Sequence, residues 1–241
     1  MPDMSEQMLL LRKMGHDMRV PLNTLISTSD MLVDGLYDDL TPKQAKAAVR
    51  LQRNSRRLLA ILDDFMTYVK ADTGDMVLSP KALDPRAMLD QWCNQVRPTI
   101  EKSDVVLRLT ISETVPAVLT FDESALRRIV QALLWNAAAH TTCGEIHVIS
   151  EWKPETGWLI AVKDSGCGIS KSDLPHIFEP FWRGEERPQL PTAGAGLGLP
   201  MGLALAKLMG GSLFLEETTE QGSRFCIQLL SPQSAQTDAT P

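Results

Sequence analysis

Asp34-Gly35-Leu36-Tyr37-Asp38-Asp39-Leu40-Thr41-Pro42 interrupts a stretch that otherwise reads as helix from about Met4 to Ala71. Gly35 suits the position just past a helix end, and Thr41 with Pro42 gives an N-cap followed by proline at the first helical position. Downstream, Leu51, Ser55, Leu58, Leu62, Phe65 and Val69 alternate steps of four and three, the spacing of a helix seam. Leu11, Met14, Met18, Pro21, Leu25, Thr28 and Leu32 keep the same rhythm upstream. The pattern predicts a helical hairpin. Two helices cannot enclose both seams by themselves; either both seams pack on the rest of the chain or, as the length of about ten turns favours, a homodimer forms in which two hairpins build a four-helix bundle.

Beyond Ala71-Asp72-Thr73-Gly74-Asp75 the periodicity changes. Helices are expected over 86–102, with Pro98 near its end, over 122–141, capped by Asp122, and over 199–209, closed by Gly210-Gly211. Strands are expected over 105–111, 145–152, 158–163, 212–217 and 224–230, the second and third forming a hairpin. The class is therefore α+β. Three regions follow: a helical hairpin over 1–74, a mixed domain over 75–231 and a flexible tail over 232–241. Apolar residues make up 44% and charged residues 22% of the 241, which excludes disorder as the main state. A net charge of −6 argues against an electrostatic grip on nucleic acid or an anionic membrane. Cys93, Cys143, Cys167 and Cys226 form no C-x-x-C pair and read as free thiols of a reducing cytosol. With no apolar run of membrane-spanning length and no secretory signal at the start, the expected location is cytoplasmic.

Two glycine loops suggest a nucleotide. Asp164-Ser165-Gly166-Cys167-Gly168-Ile169 follows an apolar strand, so backbone can approach a flat ligand while the carboxylate accepts a hydrogen bond. In Gly194-Ala195-Gly196-Leu197-Gly198-Leu199-Pro200, alternate glycines can turn N–H groups into one concavity, and the helix that follows offers its positive end to phosphate. A dinucleotide fingerprint is excluded, because no strand precedes this loop and Leu199 stands where its third glycine belongs. A Walker loop is excluded because the chain has no Gly-Lys-Ser/Thr. Asn136 sits on a helix whose inward residues are Ile129, Val130, Leu133 and Leu134; it is either a satisfied core residue or an oxygen ligand for Mg²⁺.

The order of these segments resembles the sensor histidine kinases of two-component systems. Asn136-Ala137-Ala138-Ala139-His140-Thr141, Asp164-x-Gly166-x-Gly168, Phe178-Glu179-Pro180-Phe181 and Gly194-x-Gly196-x-Gly198 are similar to that family's N, G1, F and G2 boxes. Gly222-Ser223-Arg224-Phe225 is similar to its closing glycine segment, and Gly15-His16-Asp17-Met18-Arg19-Val20-Pro21-Leu22 to its H box. The resemblance implies an ATP-binding domain of gyrase/chaperone type, an α/β sandwich on a mixed sheet, behind a dimerisation and phosphotransfer hairpin. It implies that Asp164 binds the adenine amino group, that Asn136 coordinates Mg²⁺, and that His140, Gly166, Gly168, Leu197 and Leu199 belong to the nucleotide site. Gly194, Gly196 and Gly198 would border the phosphates, Phe178 and Phe181 would anchor a lid, and Arg183 could reach the γ-phosphate. The implied reaction is ATP-dependent phosphorylation of His16, then transfer to an aspartate of a response-regulator receiver.

The heptad supports His16 independently: with Leu11, Met18 and Leu25 at position a, His16 falls at f, farthest from the seam. Asp17 is the expected base for its ring proton, while Arg19, one turn on, would hold Asp17 or phosphate oxygens. Pro21 removes the N–H that would bond the Asp17 carbonyl. Four departures from the family pattern matter. Val20 replaces a polar residue that orients water for regulator dephosphorylation, so weak phosphatase activity is expected. Ala132 and Ala139 thin the phosphate contacts, and Ala132 stands where related ATPases carry a glutamate base, which favours transfer to histidine over hydrolysis. Pro180 replaces a frequent arginine. The rival readings are a docking scaffold with a degenerate nucleotide site and a hydrolytic ATPase of the gyrase–chaperone class.

Overall fold

A computed structural model of the chain describes residues 4–37, 39–100, 104–184 and 195–230. The chain divides into two compact units, Met1–Thr67 and Tyr68–Pro241. The first is the expected hairpin. Helix α1 runs over Met4–Val33 and α2 over Pro42–Asp72. Gly35 takes φ +72° at the turn, and Thr41 and Gln44 exchange the reciprocal bonds of a capping box, Thr41 N donating to Gln44 Oε1 at 2.9 Å. Pro21 lies inside α1, which continues through it.

Antiparallel contacts fix the hairpin's register. Gly15 lies against Met66, Arg19 pairs with Asp63, and Asp30 accepts from Gln52 and Arg56. Gly15, Arg19, Leu22, Ile26 and Ser29 thus face α2, and Ala45, Ala48, Gln52, Ser55, Leu59 and Met66 face α1. This corrects part of the expected seam, because Ser55 is buried within the hairpin. Val69 is buried and Leu62 and Phe65 are half-buried, whereas Met14, Met18, Leu25, Leu51 and Leu58 are exposed large apolar residues of this unit. An inner face of mixed small, polar and apolar residues beside an exposed line of Met and Leu is the division that a partner chain would complete.

The second unit is built on a five-stranded sheet in the order β2-β4-β5-β7-β6. The strands are β2 Asp104–Ile111, β4 Cys143–Lys153, β5 Gly157–Asp164, β6 Ser212–Thr219 and β7 Gly222–Leu229. Only β2 and β4 are parallel, so the sheet is mixed as expected. Helices α3 Pro85–Ile100, α4 Glu123–His140 and α5 Gly198–Leu208 pack on it around Trp92, Leu126, Leu133, Ile146, Trp158, Leu205 and Ile227. Helix α3 is described to Ile100, with Pro98 in its last turn; the expected end at Lys102 lies outside the described residues, as do the tail and Gly194. A second sheet, β1 Lys81–Leu83 paired with β3 Leu119–Phe121, was not foreseen. Tyr68 and Ala71 pack into this unit's core, so the last turns of α2 belong to it physically.

Candidate functional site

The first unit presents an imidazole to solvent. His16 and Asp17 are 78% and 62% exposed in their side chains, and His16 Nδ1 stands 3.5 Å from Asp17 Oδ1. Neighbouring residues on a helix diverge by about 100°, so this approach depends on the rotamers of both. Arg19 takes another partner than either one expected: its Nε and Nη2 both meet Asp63 Oδ1, at 2.9 and 2.8 Å. It is therefore held toward α2, which leaves the Asp17 carboxylate to His16. Val20 is exposed beside this pair.

The second unit holds a cleft along the last turns of α4. Asp122 caps that helix, its Oδ1 accepting from Ala125 N at 2.9 Å while Oδ2 accepts from Ser79 N at 2.7 Å. At the far end the His140 carbonyl faces Gly166, where a Cβ would stand 2.5 Å from it. Asp164 is nearly buried at the end of β5, and its Oδ1 accepts from Gly166 N at 2.9 Å. Two turns back on α4, Ala132 meets Gly198 at the start of α5, with 3.4 Å between the Ala132 Cβ and a Cβ built on the glycine. No side chain caps α5, so its first N–H groups remain available to an anion. Asn136 lies between these two contacts. Asp164, the α4 turn with Asn136, and the α5 N-terminus thus line a path of about 12 Å, the α4 rise from Ala132 to His140.

Of the expected nucleotide residues, Leu197 is buried and Leu199 packs on the core edge, so both support the loop from beneath. Phe178 also packs on the core. Phe181 differs: its ring is 55% exposed, its backbone takes φ +65°, and its N–H donates to Gly196 O at 2.9 Å. Its hold on the glycine loop is through the backbone. Arg183 is exposed, and Gly194 lies outside the described residues.

Sequence reasoning missed the brace behind Gly168. Thr218 Oγ1 accepts from Ile169 N at 2.9 Å and stands 3.0 Å from Ser223 Oγ. Gly168 itself has φ +65°, and a Cβ there would run into the Thr219 carbonyl. The only signal was Ser223 within the closing glycine segment; Thr218 lies in a strand with no mark of its role. All four cysteines are unpaired, and burial pushes the Cys93 and Cys226 thiols up to about 11.

Asn136 fits an oxygen ligand: it is half-buried, and its carboxamide takes no partner among the described residues. The described residues include no group of three or more His, Cys, Asp or Glu able to hold a metal alone. A magnesium ion here would draw its other ligands from phosphate oxygens and water. No helix among the described residues is long and apolar enough to cross a membrane.

Comparison with known proteins gives the same division. Residues 6–74 match the family described as His Kinase A (phospho-acceptor) domain, and residues 121–233 that of histidine kinase-, DNA gyrase B-, and HSP90-like ATPase. The sensor protein TorS of Escherichia coli K12 is 31% identical over 221 residues, covering 91% of this chain and 23% of that protein. The signal transduction histidine-protein kinase BarA of the same organism is 27% identical over 223 residues, covering 91% and 24%. The chain thus spans about a quarter of the length of these relatives. Among solved structures, full-length ShkA in complex with AMPPNP shares the fold at TM-score 0.79 and 24% identity, over 91% of this chain and 45% of that one. The Acinetobacter baumannii histidine kinase AdeS matches at TM-score 0.64 and 19% identity, over 90% of this chain and 98% of that one.

Proposed function

We propose, from the premise that the chain belongs to the sensor histidine kinases as a catalytic core, that it phosphorylates its own His16 from ATP and passes the phosphoryl group to an aspartate of a response-regulator receiver. Residues 1–74 would act as the dimerisation and phosphotransfer domain, and 75–231 as the nucleotide domain. The carrying observation is the exposed His16 ring with the Asp17 carboxylate 3.5 Å from Nδ1. That separation is longer than a good hydrogen bond and would tighten when substrate arrives.

In this reading Asp17 holds the Nδ1 proton, which leaves the Nε2 lone pair to attack the γ-phosphorus. The Nε2–phosphorus bond forms as the bond from phosphorus to the ADP oxygen breaks. Asp164 accepts from the adenine amino group, which sets the orientation of the whole nucleotide. The uncapped N–H groups of α5 meet the phosphates, and Asn136 is the residue that would hold Mg²⁺, whose charge offsets that of the phosphates. Rate then comes mainly from positioning and charge neutralisation. Ala132 leaves the cleft without a carboxylate one turn before Asn136, so water has no base there and hydrolysis stays slow. Val20 offers regulator-bound phosphate no water-orienting group, so phosphatase activity is weak. ATP supply and a receiver partner place the reaction in the cytoplasm.

Incubation with γ-labelled ATP, for the unsubstituted chain and His16→Gln, tests this. Expected is an acid-labile, alkali-stable label on the first and none on the second, with both binding an ATP analogue. Phosphate release without labelling would point to the hydrolytic class, and failure to bind the analogue to a docking scaffold.

A further inference from the structure

Between Pro42 and Leu62, α2 carries six cations and no anion, in a chain of net charge −6. Lys43, Lys46, Arg50, Arg53 and Arg57 follow one another in steps of three and four, so they form one stripe. Arg56 lies off it and is taken by Asp30 at 2.9 Å. Lys43, Lys46, Arg50 and Arg53 are exposed and have no acidic partner among the described residues. Like charges at these spacings repel by roughly 0.2–0.5 kcal/mol per pair, so the stripe weakens the helix that bears it. Ordinary solvated faces intersperse both signs.

Its direction follows from helix geometry. At 100° per residue the stripe centres about 170° from the face that Ala45, Ala48, Gln52, Ser55 and Met66 turn to α1. It centres about 110° from the exposed apolar line through Leu51 and Leu58. Neither packing within the hairpin nor pairing of two hairpins through that line would cover it. His16 is turned about 180° from the Met14–Met18–Leu25 line of α1.

Height along the hairpin follows from its register. His16 is level with Met66, because Gly15 touches it. The stripe therefore begins about 14 Å and ends about 35 Å from His16 toward the hairpin tip, at 1.5 Å per residue. In the other direction α2 continues into the second unit at Tyr68. A globular domain about 30 Å across with one edge at His16 and extending toward the tip spans the heights of Arg57 to Lys46.

We infer that this stripe is the electrostatic half of the docking surface for the phosphoryl acceptor, and that it selects a protein with an acidic face beside its acceptor aspartate. The inference rests on the phosphotransfer reading above and adds the charge class of the partner. Such a stripe acts mainly on encounter and on rejection of wrong partners, so its effect is salt-dependent. The chain's negative total charge disfavours nucleic acid and anionic bilayers as occupants.

The test uses the full chain labelled on His16, with purified receiver domains whose surfaces beside the acceptor aspartate are acidic, neutral or basic. The variants are Lys46→Glu/Arg50→Glu/Arg53→Glu and the charge-keeping Lys46→Arg/Arg50→Lys/Arg53→Lys. Expected is labelling of His16 within twofold of the unsubstituted chain for both. The reversal should lower transfer to acidic receivers by about tenfold or more at 50 mM salt, chiefly through KM, with the gap closing at 0.5 M. The charge-keeping variant should transfer normally, and basic receivers should gain from the reversal. Normal labelling with transfer blind to these charges would overturn the inference alone. So would tighter capture of duplex DNA or phosphatidylserine vesicles by the same residues. An unsubstituted chain that takes no label on His16 would instead overturn the phosphotransfer reading, and this inference with it.

Discussion

A side chain at Gly15 has little room: a Cβ there would stand 2.5 Å from Met66 Sδ, and Met66 is buried. Beside the reacting histidine, the two helices approach through a glycine and lock through Arg19 and Asp63 one turn later. Alanine at 15 gains about 1 kcal/mol of helix propensity over glycine, and a shift of Met66 consumes much of it, so Gly15→Ala should be near neutral. Gly15→Val adds two methyl groups that Met66 cannot clear by a rotamer change alone. It should cost the hairpin about 1–3 kcal/mol. Urea unfolding followed by helical circular dichroism reads this as a lowered midpoint at unchanged slope. A valine variant as stable as the parent would mean that the helices separate there without penalty.

At the scale of elements, caps and clips set boundaries and register. Asp122 serves both the first turn of α4 and the Ser79 backbone, so Asp122→Ala removes a cap and a tether together. The loss should be about 2 kcal/mol, the upper end for an N-cap, and should lower the melting temperature of the second unit by about 4–8 °C. In the hairpin, the Gln52 side-chain hydrogen bond holds the Asp30 carboxyl below its ordinary 3.8; burial opposes it and Arg56 assists. A lowered folded value means that this contribution is whole above 3.8 and is lost as pH falls through the folded value. Carboxyl-carbon NMR should show Asp30 titrating below 3.8, and Gln52→Ala should move the inflection back up. An unmoved inflection would assign the shift elsewhere. These elements also mark what sequence can carry. Gly35, Thr41-Pro42 and the cap at Asp122 act over a few residues, so their reading survives folding. Strands β1 and β3 have three residues each, too few for alternation to register, and exist because 81–83 and 119–121 meet across the chain. Arg19 met a partner 44 residues away that no local rule selects. Thr218 braces Ile169 for the same kind of reason. The glycine boxes were legible because each needs a residue type at a fixed spacing, whereas their supports need only proximity.

For the whole molecule, the two units differ in how completely each buries its apolar residues. The second encloses Trp92, Leu126, Trp158 and Ile227 entirely, whereas the hairpin leaves Met18 and Leu58 51% and 54% exposed along one line. A fold that is finished by a second copy gains stability from mass action, and a self-contained one does not. Thermal unfolding should therefore show two transitions. The helical one should rise by several degrees when chain concentration is raised a hundredfold, while the one reporting Trp158 burial should stay fixed. Leu58→Glu on the exposed line should abolish the concentration dependence and leave the Trp158 transition in place. If the helical transition ignores concentration and sedimentation gives a monomer, the open line of methionine and leucine has another purpose than pairing with its copy.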